Sequence, residues 1–131
     1  MDKIDQAIQN ALVEGQLPCA AAFVIAQSLG VDPLQVGQAA DRLGVRLSKC
    51  QLGLFGYGPK AEGKHRRVKP LKDVPLDLAE AIRGHVQSDG KVNCVDAWTI
   101  AGEFHLTRQF VSNAVEGLGI RIRLCQLGGQ K

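Results

Sequence analysis

The stretch Leu43-Gly44-Val45-Arg46-Leu47-Ser48-Lys49-Cys50-Gln51-Leu52-Gly53 returns as Leu118-Gly119-Ile120-Arg121-Ile122-Arg123-Leu124-Cys125-Gln126-Leu127-Gly128. The offset is 75 residues, and it holds upstream without a gap, aligning 3–53 with 78–128. Fourteen of these 51 pairs are identical, and the identities cluster. Gly15 meets Gly90, Cys19 meets Cys94, and Ala22, Ile25 and Ala26 meet Ala97, Ile100 and Ala101. Val36 and Ala39 meet Val111 and Ala114. Clustered identity at one fixed offset marks an internal repeat: one unit of about 50 residues, present twice.

Each unit reads as three helices followed by a strand. Ile4, Ala7, Ala11 and Leu12 give helical spacing in copy one, as do Ala79, Ile82 and Val86 in copy two. A second helix starts near Cys19 and Cys94. A third starts at Asp32-Pro33, with Asp as N-cap and Pro at the first helical position, and Thr107 is the equivalent cap. Val45 to Leu47 and Ile120 to Arg123 alternate as strands do. The expected organisation is a first unit over 1–58, a basic segment over 59–75 and a second unit over 76–131.

Composition bounds the class. Hydrophobic residues make up 45% and charged residues 22% of the 131, which excludes collagen-like and disordered chains. The longest apolar run, Cys19 to Ala26, is far short of the roughly 20 residues that span a bilayer. The start, Met1-Asp2-Lys3-Ile4-Asp5, has no secretory pattern, so a cytoplasmic protein with no membrane partner is expected. The net charge of +3 is unevenly spread. Residues 1–58 sum to −1, 59–75 to +4 and 76–131 to zero.

Copy one reads Ala26-x3-Gly30-x5-Val36-x2-Ala39, and copy two Ala101-x3-His105-x5-Val111-x2-Ala114. This pattern resembles the helix-turn-helix of bacterial transcription regulators. A small alanine lets two helices approach closely, glycine permits the positive φ of the turn, and the last two positions point into the core. The resemblance covers about 25 residues of each copy. It implies a mainly α fold: two tandem three-helix helix-turn-helix units with short β-strands, winged-helix-like. It also implies that the motif's second helix lies in the major groove of duplex DNA.

Copied position by position, copy two offers Thr107, Arg108, Gln109, Ser112 and Asn113. Arg pairs with guanine and Asn or Gln with adenine, whereas Thr and Ser bond phosphate. Copy one offers Asp32, Pro33, Leu34, Gly37 and Gln38, without a cation. The central Gly56 to Pro70 segment looks like a wing, with Val45 to Cys50 as one strand and His65 to Lys69 as the other. Lys64, Arg66, Arg67 and Lys69 would then contact phosphate. A solvated linker is the plainer reading of the same residues. The strand of copy two has no second wing strand after it, so it must pair elsewhere, for instance with the copy-one strand. The resemblance thus points to a DNA-binding transcriptional regulator or accessory factor. A protein-interaction adaptor built on the same helices is the rival.

The cysteines repeat too: Cys19 with Cys94, and Cys50 with Cys125. Plain packing of a small apolar residue explains them without any cofactor. Alternatively the two cysteines of a copy converge, as a metal or redox sensor, and all four hold zinc or an iron–sulfur cluster across a pseudo-dyad. Against zinc stands the absence of any Cys-x2–4-Cys pair. His65, His85 and His105 have no ligand spacing among them. No paired carboxylates, nucleophile elbow or phosphate loop is present, so no enzymatic activity is expected.

Overall fold

The computed structural model describes residues 2–128. Helix α1 spans Lys3–Ala11, and the Asp2 carboxylate accepts the Ile4 N–H at its start. Strand β1 (Leu17–Pro18) runs directly into α2 (Cys19–Leu29). A three-residue turn leads to α3 (Pro33–Arg42), and β2 (Leu47–Ser48) closes copy one. Copy two repeats the order with α4 (Leu76–Gly84), β3 (Lys91–Asn93), α5 (Cys94–Phe104), α6 (Arg108–Gly117) and β4 (Arg121–Arg123). Among the described residues the chain is mainly helical with four short strands.

The turn residue after α2 is Gly30 at φ 66°, and after α5 it is His105 at φ 54°. Both sit in the left-handed region, which glycine enters freely and histidine at a cost. Thr107 caps α6 by accepting the Phe110 N–H at 3.1 Å. At the start of α3, the Asp32 N–H donates to the Gln35 side chain at 3.0 Å. Sequence-expected caps and helix starts therefore agree with the structure.

The strands correct the expected wing. β2 pairs with β1, in parallel, with Leu17 opposite Leu47. β4 pairs with β3 of its own copy, also in parallel, with Val92 opposite Ile122. Residues His65 to Lys69 form no strand, and β4 does not pair with copy one. The reason is topological. Helices α2 and α3 supply the long crossover that a parallel pair requires, so the unit closes its own ladder and needs no wing.

Two cores result, and they are interlocked. Ile8, Leu17, Cys19, Ala22, Ile25, Ala26, Val36, Ala39 and Ala40 form the first, together with Leu127 of copy two. The second core gathers Leu78, Ile82, Val92, Cys94, Ala97, Ile100 and Val111 around Leu52 of copy one. Each Cys-Gln-Leu-Gly turn thus buries its leucine in the other copy. The expected boundary at residue 58 is not a break between cores, because Cys50, Leu52, Leu54 and Phe55 already pack with copy two. The exchange is reciprocal between the copies. Phe23 and Trp98, which are equivalent positions, meet in a tilted ring contact with centroids 4.4 Å apart and an interplanar angle of 43°.

Candidate nucleic-acid interface and the cysteine seam

The exchanged turns lie on the helices that the sequence marks as DNA readers. Gly53 rests against the Gln109 side chain near the start of α6, and Gly128 against Leu34 near the start of α3. Gly37, one turn into α3, faces the Leu127 backbone so closely that a Cβ there would overlap the Leu127 carbonyl. Both motif helices consequently meet the other copy near their N-terminal turns.

Residues 65–71 add a strap over α6. The Asn113 side chain accepts the Lys69 N–H at 3.0 Å, and its carbonyl accepts the Leu71 N–H at 3.0 Å. Gln109 Nε2 donates to the Arg67 carbonyl at 2.9 Å. Gly117 makes room, since a Cβ at that position would overlap the Leu71 carbonyl. Arg108 donates to Gln51, and its guanidinium lies 3.6 Å from the centre of the Trp98 ring. Ser112 is fully buried, and its hydroxyl has no protein partner. Of the five α6 candidates, Thr107 serves as a cap and the other four face protein. Ser112 is corrected outright: its side chain has no surface to offer a base.

The strap cations divide into two groups. Arg66 pairs with Glu116, and Lys64 Nζ lies 3.4 Å from Glu62. Arg67 is exposed and rides 4.3 Å above the Tyr57 ring. Lys69 and Lys72 are exposed, and neither forms an ion pair among the described residues. Beside the strap, a cleft of about 720 Å³ is lined by Arg46, Lys49, Phe55, Tyr57 and His65. His85 Nδ1 stands 3.6 Å from Asp96, and His105 is the turn residue, so the three histidines do not meet.

The cysteines sort into two pairs, one in each core. Cys19 and Cys94 are the first residues of α2 and α5. Cys50 packs in the core that holds Cys94, and Cys125 against the core that holds Cys19. Gln51 Nε2 donates to Cys19 Sγ at 3.6 Å, and Gln126 Nε2 to Cys94 Sγ at 3.5 Å. Backbone N–H groups of Gln51 and Gln126 point at the same sulfurs. Those of Leu52, Leu54 and Phe55 point at Cys50. Burial pushes the Cys19 thiol up to about 12 and Cys94 up to about 11, against the pull of these donors. Burial also raises Cys50. All four cysteines are free thiols. Among the described residues no three His, Cys, Asp or Glu side chains are placed to hold a metal ion.

Sequence reasoning missed Gln51 and Gln126 as sulfur donors. Their signal was present, since Gln is repeated inside an otherwise divergent unit. It also missed the Phe23–Trp98 contact, which the 75-residue offset could have flagged as a pair of equivalent aromatics. Comparison with known families, curated proteins and solved structures finds no match to this chain. No single helix among the described residues is long and apolar enough to cross a membrane.

Proposed function

We propose that this chain binds duplex DNA through the outer surface of its basic strap, as a regulator or accessory factor. Helices α2–α3 and α5–α6 read as helix-turn-helix pairs. Each pair is joined by three residues, and α2 and α3 are bent by 116°, within the range of the motif. The observation that carries the reading is the trio Arg67, Lys69 and Lys72, exposed on the strap and just after it, with no ion pair among the described residues. Such a row attracts phosphate without reading sequence. Base reading by Arg108, Gln109 and Asn113 would require the strap and the Cys50–Gly53 turn to lift from α6. The winged form of the motif is not part of this proposal.

The test is binding to random-sequence duplex at several salt concentrations. Three phosphate contacts give a slope of about −3 in log affinity against log salt. The variant Arg67→Ala/Lys69→Ala/Lys72→Ala is expected to lose most of that slope, whereas Asn113→Ala keeps it. No binding at low salt, or a slope untouched by the triple substitution, overturns the proposal.

A further inference from the structure

We propose that the cleft beside the strap binds a nucleoside monophosphate, with Arg46 and Lys49 on the phosphate and the Phe55–Tyr57 wall against the base. Its volume of about 720 Å³ lies within the roughly 300–1,000 Å³ of small-molecule sites. Short pieces of chain build it: the turn after α1, β2 with Lys49, the glycine-rich run 54–59 and His65.

The wall is fixed by close backbone packing. Gly56 at φ 83° lies so near β2 that a Cβ there would overlap the Ser48 Cα and the Lys49 nitrogen. The Lys49 N–H donates to the Gly56 carbonyl at 3.2 Å, and the Tyr57 N–H to the His65 carbonyl at 3.4 Å. The Tyr57 hydroxyl donates to the Cys50 carbonyl at 2.6 Å, and the Arg67 guanidinium lies over its ring. A wall held in place before binding lowers the cost of ordering it.

The polar groups left over define the ligand. The Arg46 and Lys49 side chains are exposed and make no hydrogen bond or ion pair among the described residues. The N–H groups of Gly56 and Gly58 have no acceptor among those residues. Cations together with loop N–H groups suit a phosphate. His65 Nδ1 is buried without a protein partner, which costs free energy that a polar ligand atom would offset. Glu14 also lines the cleft, and a carboxylate there suits a sugar hydroxyl or a base N–H rather than the phosphate. Aromatic side chains beside a phosphate set supply a stacking surface for a base.

The repeat supplies the control. Ser48 corresponds to Arg123 and Glu14 to Asp89, and in copy two Arg123 lies 3.2 Å from Asp89. Ser48 is too short to make that pair, so copy one leaves the space open and Glu14 without an ion pair among the described residues. Lys49 corresponds to the exposed Leu124. Both positions have positive φ, 48° and 54°, so the backbone is shared while an apolar side chain is exchanged for a cation.

Equilibrium dialysis of the full chain tests the site, against the four common ribonucleoside 5′-monophosphates, ribose 5-phosphate and inorganic phosphate. At least one nucleotide is expected to bind, one per chain, with Kd on the order of 10–100 µM, and both ring-free phosphates about tenfold more weakly or worse. Arg46→Ala/Lys49→Ala should lose about tenfold or more in nucleotide affinity. Both side chains are exposed, so its denaturation midpoint should match the wild type. Lys69→Ala/Lys72→Ala on the strap should keep nucleotide affinity within about twofold, which separates a built site from diffuse attraction by positive charge. Any of the following overturns the proposal: no nucleotide bound at millimolar concentration, ribose 5-phosphate or inorganic phosphate bound as tightly as every nucleotide, affinity unchanged in Arg46→Ala/Lys49→Ala, or an equal loss in the strap variant. The site does not rest on the DNA reading, and no duplex enters these readouts.

Discussion

Copy one and copy two share a frame but differ at the end of the third helix. Copy one has Arg42 there, which makes a two-point bond to Asp5 on α1 at 2.7 and 3.1 Å. Copy two has Gly117, over which the Leu71 backbone passes. In copy one the third helix is tied to its own first helix. In copy two it accepts the strap, and with the strap the chain's excess positive charge. A second contrast lies one turn into the helix. Gly37 leaves space for the Leu127 backbone, while its equivalent Ser112 carries a side chain into the core. The comparison shows where a duplicated unit diverged: the strands, turns and exchanged leucines persist, and the covering of the third helix differs.

The largest effects should come from the exchanged leucines. Leu52→Ala and Leu127→Ala each empty a fully buried site and are expected to cost about 3–5 kcal/mol in chemical denaturation. Similar costs would mark the exchange as reciprocal, and a much smaller one for Leu127→Ala would break the symmetry. Next is Gly37→Ala, which drives a methyl into the Leu127 carbonyl and should cost about 2–3 kcal/mol. The same measurement on Ser112→Ala should show a change within about 1 kcal/mol of zero or a gain, since it removes a buried hydroxyl without a partner.

Smaller still is the turn. Gly30→Ala places a Cβ at φ 66° and should cost about 1 kcal/mol, while His105→Gly should stabilise by roughly 0.5–1 kcal/mol, both read as shifts of the denaturation midpoint. At neutral pH the three buried thiols Cys19, Cys50 and Cys94 contribute no pH dependence. Cys19, Cys50 and Cys94 hold their protons more tightly in the native state than in the unfolded chain, so above about pH 9 the native state binds more protons and stability falls as pH rises. That loss should run to about pH 11 for Cys94 and on to about pH 12 for Cys19. Denaturation midpoints between pH 8 and 12 check it, and a flat profile would mean that the thiols are not buried as described.

Much of this frame is legible in the sequence because it is local. Asp32-Pro33 and Thr107 mark helix starts, and Gly30 marks the turn. The alternation after Gly44 and Gly119 marks β2 and β4. What is illegible is long-range. β1 has two residues, one of them proline, and carries no periodic signal. The parallel pairing depends on where α2 and α3 return the chain. The Arg108, Gln109, Ser112 and Asn113 face reads as open from helical position alone, yet whether a helix face is open depends on what crosses it. Gly117 permits the crossing, and one glycine at a helix end looks in sequence like an ordinary stop signal. The cysteine repeat is visible, but the pairing of Cys50 with Cys94 and of Cys125 with Cys19 follows from the turn exchange, which no local pattern encodes.

The central claim is that each copy is completed by the other's Cys-Gln-Leu-Gly turn. Native-state hydrogen exchange of Leu127→Ala tests it most directly. The account predicts faster exchange in copy one, at Val36, Ala39 and Ala40 on α3, although the substitution lies at the end of copy two. Faster exchange confined to α5 and α6, with α3 unchanged, would contradict it.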